Sequence, residues 1–364
     1  MNKKVQELEN DALYEQDFPE IPPSDVIAYN ELRSCADLVR MHRQNILIIQ
    51  PEFQRDFVWK EPDQTRFIDS LVKQLPIPSM CFSLDYKTQK WQVIDGLQRI
   101  STIIRFLTED KWRLSNLEDI DQRLSGQRIE NLRKGEEELQ RLYSSVENRT
   151  LPITILRCDY SKKSHTNFLF TIFHRLNTGG MKLNNQEIRN CIYSGSFNNL
   201  LKELDHKNKE WRAINRMKAG QSYRFIKQEL ILRIFALHER CQQYTGRLAK
   251  FLNDYMDDKK NASDSEISQK KELFEKTAKI VYEKVFNKKQ PPSKITITLL
   301  EAIFVGVSFN LDFLETVSIH KAEKLYVKLQ QHEEFSEAKL SEGLSGKPRV
   351  IERINAAKNI FSGQ

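Results

Sequence analysis

Strand-type apolar runs stop near Tyr160. Before it, short β-branched or aromatic blocks alternate with helical series; after it, apolar residues recur at helical spacing. A chain patterned this way is restricted to α+β: a mixed α/β first part followed by an all-α second part. Ile46–Gln50, Met80–Leu84, Trp91–Ile94 and Leu151–Leu156 predict strands, and the polar turn Asp85–Lys90 joins the middle pair. Phe67, Ile68, Leu71, Val72 and Leu75 share a helical face that Pro76 and Pro78 close. Ile100, Ile103, Ile104 and Leu107 form a second such face, and Ser115–Asn148 is highly charged and reads as helix or insertion. Helical series follow from Phe168 to Ile360, with Asp257–Lys271 read as a polar loop and Asn287–Lys294 as a break. Residues 1–30, with Pro19, Pro22 and Pro23, read as an arm. The expected organisation is an arm over 1–30, a mixed domain over 31–160 and a helical domain over 161–364.

Charge divides the same way. Residues 1–160 carry 22 Lys and Arg against 27 Asp and Glu, whereas residues 161–364 carry 35 against 23. A basic second half suggests a polyanionic partner, and solvated helix faces give the same count. The basic residues Arg212, Arg216, Lys218 and Arg224, clustered around Gly220, are the candidate DNA contacts. No apolar run reaches the ~18 residues of a membrane span, no secretory leader is evident, and the five cysteines form no CxxC pair. A cytoplasmic setting without membrane, resident metal or disulfides is expected.

Three segments carry chemistry. In Val93-Ile94-Asp95-Gly96-Leu97-Gln98-Arg99-Ile100-Ser101-Thr102 an apolar strand turns through Asp-Gly directly into a helix. Such a junction points free backbone N–H groups and the positive end of a helix dipole at one spot. Gly96 lets an anion approach, Arg99 offers a forked donor, and Ser101 and Thr102 add hydroxyls, together a phosphate cradle. The same residues also read as a plain cap, with Asp95 capping the helix and Gly96 turning the chain. The second segment places Gln54 and Arg55 among Phe53, Phe57 and Trp59, either beside a base or in a core. The third, Phe173–Asn190, has a Gly179-Gly180 stop, and His174, Arg175 and Asn177 face either a phosphate or a helix–helix corner. No GxxxxGK[ST], HExxH or GxSxG is present.

In this order, Phe53-Gln54-Arg55 with Trp59, Ile94-Asp95-Gly96-Leu97-Gln98-Arg99, Asn177-Thr178-Gly179-Gly180 and Glu187-Ile188-Arg189 resemble the N-terminal family of GmrSD-type modification-dependent restriction systems. That family is marked by an Asp-Gly-Gln-Gln-Arg motif, and the resemblance covers about residues 40–195. It implies a ParB/sulfiredoxin-like fold in which the Asp95–Arg99 turn contacts nucleotide phosphates, NTP hydrolysis, and a role in bacterial defence against phage DNA. It also implies a nuclease or other defence protein as partner. The chain departs from the pattern at Leu97, where Gln is usual, and at Ser101, where Thr is usual.

The expected function is thus an NTP-binding and NTP-hydrolysing module of a restriction system that acts on DNA with a separate nuclease. Asp95, Gln98 and Arg99 are the candidate catalytic residues, and Mg2+ enters only with the nucleotide. Gln54, Arg55, Gly96, Ser101, Thr102 and Asn177 are the candidate nucleotide-binding residues. The alternative is a non-catalytic ParB-like DNA-binding protein. A nuclease site of its own is not expected: none of the seven histidines stands in a His-Asn-His context, and Asp63 with Asp85-Tyr86-Lys87 falls on a helix start and a hairpin turn.

Overall fold

A computed structural model describes residues 3–12, 22–49, 59–176, 183–218, 223, 225–289, 295–341 and 343–363. In chain order these form α1 (Lys3–Ala12), β1 (Ile27–Ser34), α2 (Cys35–Arg43), β2 (Leu47–Ile48), α3 (Glu61–Val72), β3 (Met80–Asp85), β4 (Lys90–Asp95), α4 (Leu97–Thr108), α5 (Ile129–Lys134), α6 (Glu137–Glu147), β5 (Thr150–Cys158) and α7 (Lys163–Leu176). Then come α8 (Asn185–Ile192), α9 (Ser196–Lys207), α10 (Lys209–Ile214), α11 (Ile226–Arg240), α12 (Leu248–Lys259), α13 (Asp264–Ile280), α14 (Ile297–Ser308), α15 (Leu311–Thr316), α16 (Ile319–Gln330), α17 (Glu337–Ser341) and α18 (Lys347–Phe361). Among the described residues no strand follows Cys158, and no helix is long and apolar enough to cross a membrane. The mixed first part and helical second part expected from the patterning are both present.

The chain divides into two compact units, Glu20–Lys182, and Met1–Pro19 together with Leu183–Gln364. The first extends past residue 160, because α7 packs on β4. Its five-stranded sheet has the order β1-β5-β3-β4-β2. Strand β3 lies at the centre, antiparallel to β4 and parallel to β5, and all six of its residues are buried. That burial on both faces explains why Met80–Asp85 reads as a near-continuous apolar run. Helix α4 buries Ile100, Ile103, Ile104, Phe106 and Leu107 in the core that α2, α3 and the sheet build. Phe106 stacks on Tyr143 of α6 with centroids 5.3 Å apart.

In the second unit Trp211 is fully buried, edge-on to Phe274 and Phe304, and donates Nε1–H to Asp205 at 3.0 Å. Helices α14 and α18 pack closely because Gly306 has no side chain: a Cβ there would sit 2.8 Å from the Ala357 carbonyl oxygen.

Two sequence expectations are corrected. The arm holds a helix, α1, whose Val5 and Glu9 are buried, and its last residues enter β1. Glu9 accepts from the Ile297 and Thr298 amides at 3.2 and 2.9 Å and so caps α14. The supposed loop Asp257–Lys271 is helical except for a short turn. Ser263 caps α13 by accepting the Glu266 amide, and Lys259 pairs with Glu266, so polarity there marks a solvated helix face. Ser115–Asn148, read as helix or insertion, contains two helices, α5 and α6.

Candidate functional site

The junction between β4 and α4 is shaped by a bulge. Cys81 pairs with Asp95 but Phe82 pairs with Val93, which leaves Ile94 as the extra residue on β4. A bulge bends its strand and re-aims the residues beyond it, in this strand Asp95 and Gly96. Gly96 takes φ +96°, and a Cβ there would meet Met80 Cγ at 2.5 Å. The turn is therefore built for glycine on two counts, backbone conformation and close approach.

Gly96, not Asp95, is the N-cap of α4, and among the described residues no side chain caps the helix. The cap reading of Asp95 is thereby corrected. Asp95 instead accepts from Arg99 Nη2 at 2.8 Å, with its side chain 37% exposed and that of Arg99 14%. Arg99 Nη1 donates to the Pro78 carbonyl, so one guanidinium ties the Pro-rich turn to the strand end. Burial pulls the Arg99 guanidinium below its usual pKa, and Asp95 opposes the shift. Two of the five guanidinium N–H groups are used by these contacts.

Gln98 Oε1 accepts from the Trp59 amide at 3.3 Å, and Gln64 Nε2 donates to the Trp59 carbonyl at 3.0 Å. The aromatic segment and the Asp-Gly-Leu-Gln-Arg turn, 39 residues apart, thus meet at Trp59. Leu97 is half-buried and packs on the core. Thr102 is buried and donates its hydroxyl to the Gln98 carbonyl at 2.7 Å. Ser101 Oγ is buried and, among the described residues, has no hydrogen-bond partner. The amide of Ile100 bonds the Gly96 carbonyl at 2.9 Å, so the Leu97, Gln98 and Arg99 amides form the open end of the helix.

Asp95, Gly96, Gln98, Arg99, Ser101 and Thr102 therefore share one turn and its first helical residues. Gln54, Arg55, Asn177 and Arg224 lie outside the described residues. Arg212 is on α10, and Arg216 and Lys218 are in the segment after it. Among the described residues no cluster of three or more His, Cys, Asp or Glu side chains is arranged to hold a metal ion.

The Glu187-Ile188-Arg189 segment is structural. Asn184 and Glu187 form a reciprocal capping box at the start of α8, with bonds of 2.9 and 2.7 Å. Arg189 is fully buried and donates to Asn253 at 2.7 Å and to Glu229 at 2.9 Å. Glu229 also accepts from Arg233 Nη2 at 2.6 Å. Burial alone raises a carboxyl pKa, but Arg233 and Arg189 outweigh it and hold Glu229 below the ordinary value. The sequence reading misses this trio, because isolated charges at helical spacing look like a solvated face.

It also misses His165, buried beside Asp159 and Asp25. The Asp159 amide donates to Nδ1 at 3.0 Å, which leaves Nε2 to donate to Asp25 at 2.8 Å. The hydrogen bond from Lys162, joined by that from His165, pulls the Asp25 carboxyl down to about 2.

A search of curated proteins finds no match to the chain. Residues 35–194 match the family model of the GmrSD restriction endonuclease N-terminal domain, which bears out over that stretch the resemblance carried by the motifs.

Proposed function

We propose that the Asp95–Thr102 turn binds the phosphates of a nucleoside triphosphate within a restriction-system module that acts on DNA. The observation that carries this reading is one turn that, among the described residues, holds three helix amides with no side-chain cap and an Arg99 fork with donors to spare, with the buried Ser101 hydroxyl one helical turn further on and unpartnered among those residues. Helix amides and dipole favour an anion at this spot. The Asp95 carboxylate would repel one, and Arg99 neutralises it.

In this reading the Leu97–Arg99 amides and Arg99 hold phosphate oxygens, and Gln98, anchored on Trp59, orients a phosphate oxygen or water. Gln54, Arg55 and Asn177 complete the nucleotide contacts. Asp95 is the carboxylate placed to meet a Mg2+ that arrives with the nucleotide, a charge that eases phosphoryl transfer. Nucleotide binding without hydrolysis is the second reading. It is favoured by Leu97, whose apolar side chain packs on the core where the family carries an amide.

Binding and phosphate release, scored separately over a panel of NTPs, test both readings. Arg99→Ala is expected to weaken binding at least tenfold while the protein stays folded with a modestly lower Tm, because Pro78 loses its tie. Unchanged affinity with a lower Tm makes the turn purely structural. Leu97→Gln is expected to raise phosphate release with little change in affinity. No gain places control of hydrolysis elsewhere.

The helical unit supplies the DNA contact in this proposal, through Arg212, Arg216, Lys218 and Arg224, with a separate nuclease as partner. Duplex binding by the intact chain is expected to weaken steeply with salt, because each neutralised phosphate releases counterions. Changing Arg212, Arg216 and Lys218 together to Ala is expected to lower the salt slope by about one per lost contact. No binding at low salt removes DNA as a direct partner.

A further inference from the structure

We propose that the edge strand β1 pairs with β1 of a second copy of this chain, antiparallel about a two-fold axis through Leu32. Strand β1 is the last of its sheet and bonds only β5, in an unbroken register of eight pairs from Ile27–Arg157 to Ser34–Thr150. The Cys35 amide donates to the Arg149 carbonyl at 2.9 Å, which continues the same register by one pair. Hydrogen-bonded pairs alternate along an antiparallel ladder. Arg33, Glu31, Tyr29 and Ile27 therefore bond β5, and the backbone groups of Ala28, Asn30, Leu32 and Ser34 point away from the sheet. Among the described residues no strand meets that outer row.

Edges of this length are normally guarded by lysine, proline, a bulge or a covering element. Ile27–Ser34 contains no lysine, no proline and no bulge. It instead presents Leu32 at 69% exposure, the most exposed large apolar side chain among the described residues, with Ile27 and Tyr29 exposed beside it. A strand edge guarded only by the charges of Glu31 and Arg33, and carrying the most exposed leucine among the described residues, suits a strand partner that answers those charges.

The outward row and the charges together select one register for a second copy. Only outward residues can exchange hydrogen bonds, so Ala28, Asn30, Leu32 and Ser34 must face one another across the axis. Centring on Glu31 sets Glu31 against itself, and like charges directly opposite are destabilising. Centring on Asn30 sets Ile27 against Arg33 and Tyr29 against Glu31. Centring on Leu32 sets leucine on leucine and places Glu31 of each copy opposite Arg33 of the other, while Asn30 faces Ser34. That register alone matches every charge and buries the exposed leucine. Arg33 also pairs with Glu31 and Asp37 of its own chain, so the cross-strand contact would extend an existing network.

Sedimentation and cysteine cross-linking of the intact protein test this. Wild type is expected to dimerise with rising concentration, and Leu32→Lys to weaken the dimer at least tenfold with an unchanged melting curve at concentrations where wild type is monomeric, since Leu32 is outside the core. Glu31→Arg is expected to weaken it as well, and the exchange Glu31→Arg with Arg33→Glu to restore it. Opposed residues in a hydrogen-bonded pair lie about 5.5 Å apart, within disulfide reach. Leu32→Cys should therefore give a covalent dimer under mild oxidant, above the background of oxidised wild type, and Asn30→Cys should not. A monomer at every concentration, a dimer indifferent to Leu32→Lys, or equal cross-linking at both positions overturns the proposal.

Discussion

Glu229→Ala is expected to destabilise the helical unit by about 3–5 kcal/mol, the cost of leaving buried charges unpaired. Glu229 holds two buried guanidinium groups, Arg189 at 2.9 Å and Arg233 at 2.6 Å, and all three side chains are nearly inaccessible to water. Removing the carboxylate leaves Arg189 on the neutral Asn253 and Arg233 on Glu301 at 3.8 Å, in a site where neither cation can be hydrated. For a unit of this size the drop in Tm is on the order of 10 °C. Glu229→Gln keeps the shape and loses the charge, so it should fall between wild type and Ala. Replacing the whole trio, Arg189→Met, Glu229→Leu and Arg233→Met, should cost less than Glu229→Ala alone, because both cations leave with the carboxylate they share and the remaining group, Glu301, is one whose burial already favours the neutral acid. Thermal melts of the three variants decide it; a triple variant worse than the single one shows that the polar contacts outweigh their desolvation. The pH dependence has a fixed sign. Glu229 titrates below the ordinary glutamate value in the folded chain, so its contribution is complete above about 4.3 and is lost as pH falls through the lower folded value.

Gly96→Ala is the second large effect, about 2–5 kcal/mol from two sources. A left-handed backbone costs a non-glycine residue roughly 1–2 kcal/mol, and forcing a Cβ to within 2.5 Å of buried Met80 adds an overpacking cost of about 1–3 kcal/mol. The two parts separate experimentally. Gly96→Asn, tolerant of positive φ, should relieve part of the backbone term and keep the clash. Combining Gly96→Ala with Met80→Ala should cost less than the two single changes added together. Strict additivity in that cycle would show that the Met80 contact is not what excludes a side chain. The proposed nucleotide site predicts in addition that binding falls in every variant that displaces the turn, since the turn aims the Leu97–Arg99 amides.

How much of the fold is legible in the sequence depends on whether burial has one side. The β3–β4 hairpin and α4 are legible because Met80–Leu84 and the Ile100–Leu107 face are apolar where they meet the core. Strand β1 is not, because Ile27, Ala28, Tyr29 and Asn30 are all exposed and leave no alternation to see. Helices α12 and α13 meet in a stretch whose charges pair with one another, and pairing of that kind resembles a loop in one dimension. At the candidate site the sequence supplies Asp95 through Thr102 as one turn. It does not supply the Pro78 carbonyl under Arg99, Met80 under Gly96 or the Trp59 amide on Gln98, since each arrives from a distant segment. Pro78 by itself reads only as a helix stop.

The capping of α14 by Glu9 has a consequence for synthesis. Glu9 leaves the ribosome 288 residues ahead of the Ile297 amide it will accept from. Throughout that interval the strands and helices of Glu20–Lys182 can fold as they emerge, while α1 has nothing to dock on. Ten residues form too short a helix to persist alone in water, and closing a loop this long is entropically costly. Helix α1 therefore becomes native only after the segments it docks on, α14 through Glu9 and α17 through helix packing, have been translated.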